Sequence, residues 1–167
     1  WEALSIGSQT ASSTTTNHPL TLTQGTLLTD PFSLTGVTLL LNTAVSVAAT
    51  GSVSATAGSG IRLTSASALT GKSMNASGVL NLEATSLAQD STGSGVTNNR
   101  GPIELRSTSG NIGSSSTRLK VTTNDVASLF ASTAGGGSAY LSSAAELALG
   151  SLVTAGTLDI STTGCLL

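Results

Sequence analysis

The stretch GPIELRSTSGNIGSSSTRLKV, residues 101–121, carries the pattern that decides the fold: two apolar, charged, apolar triplets separated by small polar residues. The triplets are Ile103-Glu104-Leu105 and Leu119-Lys120-Val121. Alternate side chains of a strand point to the same face, so each triplet predicts a short strand with two apolar residues inward and one charged residue outward. The Gly, Ser, Thr and Asn between the triplets are typical of turns and predict corners.

Similar triplets recur along the chain at intervals of about 20 residues. Their first and third positions predict a core column, in which only the triplet 139–141 begins with Ala. The core column consists of Leu20, Leu22, Leu39, Leu41, Ile61, Leu63, Leu80, Leu82, Ile103, Leu105, Leu119, Val121, Leu141, Leu158 and Ile160. The middle positions predict an outward-facing column, in which Leu40 is the one purely aliphatic residue. The outward-facing column consists of Thr21, Arg62, Asn81, Glu104, Lys120, Tyr140 and Asp159.

Two weaker sets of apolar residues follow the triplets, and the later set includes Phe130 and Leu152. Together they predict an all-β fold, a parallel β-helix of about eight coils of about 20 residues, with three short strands per coil. Coils stacked at about 4.8 Å pair every strand with its neighbours and bury one narrow core. We expect the β-helix to span residues 19–167 and residues 1–18 to be an N-terminal edge or incomplete coil. A β-sandwich stays open as the alternative, because frequent turn signals also suit it.

The composition restricts both the core and the partners. Only 2% of the residues are aromatic and 8% are charged, while 38% are hydrophobic, so we expect an ordered chain with a narrow aliphatic core. No apolar run approaches the roughly 18 residues of a membrane-spanning helix, so no membrane span is expected. Six Lys and Arg residues in a chain of net charge −2 form no basic stripe, which disfavours nucleic-acid binding.

One segment fits a permissive form of the phosphate-binding loop. Residues 66–73 read ASALTGKS, with Ala66 in place of the first Gly. That loop works only between a buried strand and a helix, and here Gly78 follows Ser73 after four residues. We therefore expect residues 66–73 to form a corner loop without a nucleotide.

The candidates for metal binding and catalysis are isolated residues. His18 is the only histidine and is expected in a surface turn, and the single Cys165 is expected to be a small buried hydrophobe. Aspartates that could serve calcium occur singly, at Asp30, Asp90, Asp125 and Asp159. We therefore predict no metal, no cofactor and no catalytic residue. The sequence Asn75-Ala76-Ser77 makes Asn75 a candidate N-glycosylation site.

The outward-facing charges leave a carbohydrate-active or carbohydrate-binding β-helix open as an alternative. Glu104 and Lys120 are expected to face each other on successive coils about 4.8 Å apart, as a surface ion pair. Turnover of a polysaccharide would need three or more acidic and basic side chains gathered in one groove. Binding without turnover would need an exposed aromatic side chain, for which Trp1 and Tyr140 are the candidates.

The repeats resemble those of filamentous haemagglutinin-type exoproteins and related giant bacterial adhesins. The segments that carry the resemblance are IELRSTSGNIG at 103–113, LKV at 119–121, GGGSAYL at 135–141 and GTLDI at 156–160. The likeness is good from about residue 101 to 164 and looser from 19 to 100. It implies a right-handed parallel β-helical shaft, exported by an outer-membrane partner or as an autotransporter passenger. The family's N-terminal secretion domain and a C-terminal anchor are not recognisable, so we expect an interior segment of a longer chain.

The expected function is that of a non-catalytic shaft segment in a secreted or cell-surface bacterial adhesin or filament, associated with the outer membrane. Such a segment would serve adhesion or matrix and biofilm formation. Its expected partners are a host-cell or matrix receptor or glycan, the flanking coils of the same parent chain, and further copies joined end to end through unpaired terminal strands.

Overall fold

The computed structural model describes the side chains of Leu63 and of residues 68–76, 78–98, 100–123 and 128–167, and the backbone alone of the strands that precede them. Every element in this part of the chain is a β-strand. The strands are β1 (Ser13–Thr15), β2 (Leu20–Thr21), β3 (Leu27–Leu28), β4 (Phe32–Gly36), β5 (Leu39–Ala44), β6 (Ser46–Val47), β7 (Ser52–Ala57), β8 (Ile61–Thr64), β9 (Leu69–Ala76), β10 (Leu80–Ala84), β11 (Leu87–Gln89), β12 (Gly95–Asn98), β13 (Ile103–Ser107), β14 (Leu119–Thr123), β15 (Ser128–Thr133), β16 (Ala139–Ser143), β17 (Ala148–Val153) and β18 (Leu158–Thr162).

The strands form two large parallel sheets, and the chain alternates between them. Sheet A has the order β17-β15-β13-β10-β8-β5-β2, and sheet B has the order β1-β4-β7-β9-β12-β14-β16-β18, with β11 also paired to β9. The fold is therefore a β-solenoid, which makes about four turns from β10 to β18. The sandwich alternative is wrong, because the sheets of a sandwich are antiparallel and the described strand pairs are parallel.

A third short strand is present in only some of the coils. β3 pairs with β6 in a small separate sheet, and β11 lies between β10 and β12. The coils β15–β16 and β17–β18 have two strands each within the described residues. β1 lies inside the predicted edge segment 1–18 and pairs with β4, so it is a strand of the stack.

The first five triplets follow one another in sheet A. Leu20 pairs with Leu39, Leu39 with Ile61, Ile61 with Leu80, and Leu80 with Ile103. This is the register that the triplet pattern predicts. It results from the alternation of apolar and polar residues, because a shift of one residue would turn every apolar side chain to solvent.

The sixth triplet departs from the predicted column. β13 is followed in sheet A by β15, where Glu104 pairs with Phe130, whereas β14 lies in sheet B between β12 and β16. The prediction that Glu104 and Lys120 face each other on successive coils is therefore wrong. The 16-residue step from Leu105 to Val121 takes the chain from one sheet to the other within a single coil.

Two insertion loops explain the irregular spacing of the repeats. Gln89 pairs with Gly71 and Gly95 with Ser73, so loop 90–94 lies opposite the single residue Lys72. In the next coil, loop 113–118 lies opposite the single residue 140, because positions 112 and 119 pair with 139 and 141. Both loops leave the solenoid at nearly the same place in successive coils. The register of β14 against β16 is consequently two residues from the predicted one.

The core of the described residues is aliphatic, as the composition predicts. Of the predicted core column, Leu63, Leu80, Leu82, Ile103, Leu105, Leu119, Val121 and Leu141 are buried, and they are joined from the weaker sets by Leu69, Met74, Leu87, Val96, Ile112 and Leu147. A buried aliphatic side chain of this size contributes about 1.5–3 kcal/mol. The side chains of Leu20, Leu22, Leu39, Leu41 and Ile61 lie outside the described residues.

The last described coil is more open than predicted. Leu158 is 44% exposed and Ile160 is only partly buried, because among the described strands β18 pairs with β16 alone. The prediction that Leu158 is a core residue is therefore wrong. Cys165 is exposed and not buried as predicted, since it belongs to the same open coil. Its carbonyl oxygen accepts the N–H of Leu147, which continues the pairing at the edge of sheet A.

Asn98, at the end of β12, holds the corner that leads into β13. Its side chain is fully buried and donates to the carbonyl oxygens of Gly78 and Pro102. Its Oδ1 accepts the backbone N–H groups of Arg100 at 3.1 Å and Gly101 at 3.0 Å. One buried amide thus satisfies backbone groups of two successive coils, which removes the desolvation cost of leaving them unpaired.

The segment that resembles a phosphate-binding loop is part of a strand. Leu69 to Ser73 lie inside β9, where Gly71 pairs with Val53 on one side and Gln89 on the other. The corner loop predicted for this part is therefore wrong, because apolar residues of β9 alternate into the core on either side of Lys72. Ala66 and His18 lie outside the described residues. Asn75 is also in β9, between strand neighbours Thr56 and Thr97.

Candidate functional site

The outer face of sheet A bears a shallow groove of about 380 Å³ across β10, β13, β15 and β17. Alternation places the even-numbered residues of β13 and β15 on this face, because their odd-numbered neighbours enter the core. The groove, named here the Phe130 groove, is lined by Asn81, Glu83, Glu104, Leu105, Arg106, Phe130, Ala131, Ser132, Ser151 and Val153.

Phe130 lines the groove and is 39% exposed. Leu129 and Ala131 on either side are buried, so the inward position that its apolar character predicts is wrong. The pairing of β15 with β17 contains a bulge, in which Gly150 and Ser151 lie opposite Phe130. A Cβ atom on Gly150 would lie only 2.6 Å from the Phe130 ring, so the glycine leaves the space that the ring occupies.

Two polar pairs lie on one side of the aromatic ring, each joining β10 to β13. Asn81 Nδ2 donates to Glu104 Oε2 at 2.5 Å, and Arg106 Nη1 lies 3.3 Å from Glu83 Oε2. Glu104 is also the direct strand neighbour of Phe130. The groove therefore holds two carboxylates and one guanidinium, and Glu104 has a neutral amide as its partner. The formal charge of the groove, from Glu83, Glu104 and Arg106 together, is −1.

The groove brings together three charged side chains, Glu83, Glu104 and Arg106. Sequence reasoning selected Asn81 and Glu104 as outward residues and missed Glu83 and Arg106. Both lie two residues beyond a selected position on the same strands, so continuing the alternation by one step would have found them. Chemically, the groove offers an aromatic surface, hydrogen-bond acceptors, one cationic donor and the hydroxyls of Ser132 and Ser151.

Of the remaining outward residues, Lys120, Tyr140 and Asp159 lie on sheet B, whereas Thr21 and Arg62 lie on strands of sheet A. Lys120 is exposed, and its Nζ donates to the carbonyl oxygen of Gly93 in loop 90–94 at 3.0 Å. Tyr140 pairs with Asp159 on adjacent strands of sheet B. For Thr21 and Arg62 the structure describes only the strand backbone, in β2 and β8.

Arg118 links loop 113–118 to the last strand of sheet B. Its Nη2 lies 2.7 Å from Asp159 Oδ2, and its Nη1 also donates to the Asp159 carbonyl oxygen at 3.3 Å. The hydrogen bond from Arg118 lowers the pKa of the Asp159 carboxyl group, against a smaller opposing effect of desolvation. The same bond raises the pKa of Arg118. This contact spans two coils, and sequence spacing gave no signal for it because Arg118 lies in a loop.

Within the described part of the chain, no three His, Cys, Asp or Glu residues are close enough to hold a metal ion. The same residues include no helix of the length and apolarity needed to cross a membrane. No family model, curated protein or solved structure matches the chain. The resemblance to filamentous haemagglutinin-type repeats stays a prediction that rests on the quoted residues.

Proposed function

We propose that the chain is a non-catalytic shaft segment of a secreted or cell-surface bacterial adhesin or filament, with a right-handed solenoid of about eight coils. The observation that carries this proposal is the continuous parallel pairing of strands through sheets A and B. Eight strands lie along the path through sheet B, which supports the coil number. The resemblance to adhesin repeats supports the handedness, the outer-membrane association and a role in adhesion or biofilm formation.

The proposed mechanism is mechanical. Each internal coil donates and accepts backbone hydrogen bonds on both sides and adds aliphatic residues to one core. Eight coils at about 4.8 Å give a spacer about 38 Å long, and flanking coils of a parent chain would extend it further. Such a spacer holds a receptor-binding or glycan-binding surface away from the cell without any cofactor.

The exposed final coil provides the test of this proposal. Leu158 and Leu167 are exposed there, next to strand edges that have a partner on one side only. We expect the 167-residue chain to self-associate end to end as its concentration rises, because an unpaired parallel edge templates further pairing. Sedimentation velocity over a range of concentrations would measure the effect.

Lysines at the final coil should suppress this association. The variant Leu158→Lys/Leu167→Lys places charges at the open edge, and Val79→Lys is the matched control because Val79 is an exposed aliphatic residue elsewhere. The double variant should shift the distribution to monomer, and the control should not. A wild-type chain that stays strictly monomeric at high concentration would count against the shaft proposal.

The Phe130 groove favours a second candidate function, that of a carbohydrate-binding or carbohydrate-active β-helix. The supporting observation is the cluster of Glu83, Glu104 and Arg106 beside an exposed aromatic ring. Both carboxylates are engaged by side chains of the neighbouring strand, which suits a fixed binding surface. Release of new reducing ends from a bound polysaccharide would distinguish turnover from binding, and we expect none.

A further inference from the structure

We propose that the Phe130 groove binds an amino sugar with a free, protonated amine, as one unit of a polysaccharide that lies across the coils. This inference rests on the carbohydrate-binding candidate and is independent of the shaft proposal. Three properties of the groove carry it: a fixed aromatic surface, a carboxylate beside that surface, and a length greater than one sugar ring.

The aromatic surface is held in one place by its surroundings. Phe130 extends from the middle of β15, and its ring rests where Gly150 has no side chain. The bulge places Gly150 and Ser151 opposite Phe130, and bulges increase the local twist of a strand. A sugar ring has an apolar C–H face, which can pack on such an exposed aromatic ring while its hydroxyls reach neighbouring polar groups.

The charges beside the ring select the kind of sugar. Arg106 is paired with Glu83, whereas Glu104 has only the neutral amide of Asn81 as its described partner. Glu104 lies on the strand next to Phe130 in direct register. An ammonium group is attracted both by a carboxylate and by an aromatic ring, whereas a carboxylated or sulfated sugar would be repelled by Glu104. The chemistry therefore favours a free amine over an acidic substituent.

The groove is long enough for more than one unit. It crosses four neighbouring strands, and three strand spacings of about 4.8 Å span about 14 Å. Ser132 and Ser151 provide hydroxyls beyond the aromatic ring, and Val153 provides an apolar end that is largely exposed. A short oligosaccharide can thus follow the stacking direction, with its amine-bearing unit at Phe130 and Glu104.

The test is direct binding of a β-linked glucosamine hexasaccharide, measured by isothermal titration calorimetry at a mildly acidic pH where its amines are protonated. The comparison ligand is the fully N-acetylated hexasaccharide, which has the same rings without the charges. We expect the glucosamine oligomer to bind the wild-type chain and the acetylated oligomer to bind at least about tenfold more weakly. Phe130→Ala should weaken binding about tenfold or more, and Glu104→Gln several-fold.

Two matched variants separate the groove from general effects. Glu146→Gln removes an exposed carboxylate that does not line the groove, and Val79→Ala removes an exposed apolar side chain that does not line it. Both should bind as the wild type does. Gly150→Ala keeps every groove side chain but displaces the Phe130 ring, so it should weaken binding while circular dichroism and thermal unfolding stay close to those of the wild type.

Several results would overturn the proposal. They are equal binding of the acetylated oligomer, unchanged binding in a folded Phe130→Ala variant, an equal loss in Glu146→Gln, or no binding of the glucosamine oligomer to the wild-type chain. The groove reaches the final coil through β17, but the variants Phe130→Ala and Glu104→Gln lie in β15 and β13, whereas the sedimentation variants lie at Leu158 and Leu167. Loss of binding can therefore be told apart from loss of end-to-end association.

Discussion

Asp159 illustrates how a single contact can make this solenoid sensitive to pH. Arg118 reaches it across Tyr140, so the ion pair joins a loop of one coil to a strand two coils away. The pKa of the Asp159 carboxyl group is lowered in the folded chain. The pair therefore stabilises the fold fully above the ordinary carboxyl pKa of 3.8, and this contribution is lost as the pH falls through the lowered value.

We predict that Asp159→Asn lowers the melting temperature slightly at neutral pH and has no effect well below pH 3.8, where the wild-type carboxylate is protonated too. High salt should reduce the neutral-pH difference, since the pair is partly exposed. Thermal unfolding followed by circular dichroism at the two pH values would measure this. Glu146→Gln is the control without an ion pair, and an Asp159→Asn effect of equal size at both pH values would contradict the prediction.

At the residue level, alternation along a strand was the most informative signal in the sequence. It predicts that Asn81 and Glu104 face outward together, and the structure joins them by a hydrogen bond. The alternation of side chains along β15 also predicts an outward position for Phe130, between Leu129 and Ala131, whereas its apolar character alone predicts an inward one. The bulge at Gly150 could not be predicted, because it depends on which strand lies next to β15.

The corner between β12 and β13 depends on one side chain. Asn98 is buried and makes four hydrogen bonds to backbone groups at Gly78, Arg100, Gly101 and Pro102. We predict that Asn98→Ala lowers the free energy of unfolding by about 1–3 kcal/mol, because backbone groups are left buried without partners. Urea unfolding would measure the loss.

Asn111 provides the control for this corner. It is exposed, and its side chain accepts a single hydrogen bond from the Ser138 N–H at 2.8 Å. Asn111→Ala should therefore lower the free energy of unfolding clearly less than Asn98→Ala does. Equal losses in the two variants would show that the buried position of Asn98 contributes nothing special to the corner.

At the level of elements, the sequence predicts strands better than it predicts their neighbours. The step of 23 residues from Leu82 to Leu105 is a full coil lengthened by loop 90–94, whereas the step of 16 from Leu105 to Val121 is only part of a coil. Spacing alone cannot separate these cases, because an insertion and a change of sheet both alter the interval between triplets. Strand pairing resolves them, and pairing depends on contacts between distant residues.

At the scale of the whole molecule, each coil contacts only its nearest neighbours, so we expect resistance to local opening to decrease from the internal coils towards the final one. β13 has β10 and β15 on its two sides, whereas β18 has only β16. We predict that backbone amides of Ile103–Ser107 exchange with deuterium at least about tenfold more slowly than those of Leu158–Thr162, because the final coil can open alone. Peptide-resolved hydrogen exchange would measure this, and uniform protection along the stack would argue for all-or-none opening.

The architecture of the whole chain was predictable to the level of a parallel solenoid, because repeated apolar triplets with polar corners leave few other ways to bury them. The arrangement of side chains on the surface was less predictable. The Phe130 groove is made by residues from four strands that are far apart in sequence, and neither their juxtaposition nor the ring position over Gly150 is encoded in any local motif.

Loops 90–94 and 113–118 have a consequence for how such a chain can change over time. Both leave the stack at one edge, and the strands before and after them keep their pairing with the neighbouring coils. Loop residues that do not contact the strands can therefore vary while the strand pairing stays constant, whereas Arg118 and Gly93 are tied to Asp159 and Lys120. The two loops therefore offer sites for grafting foreign peptides and for natural sequence variation, in which loop residues change and the paired strands do not.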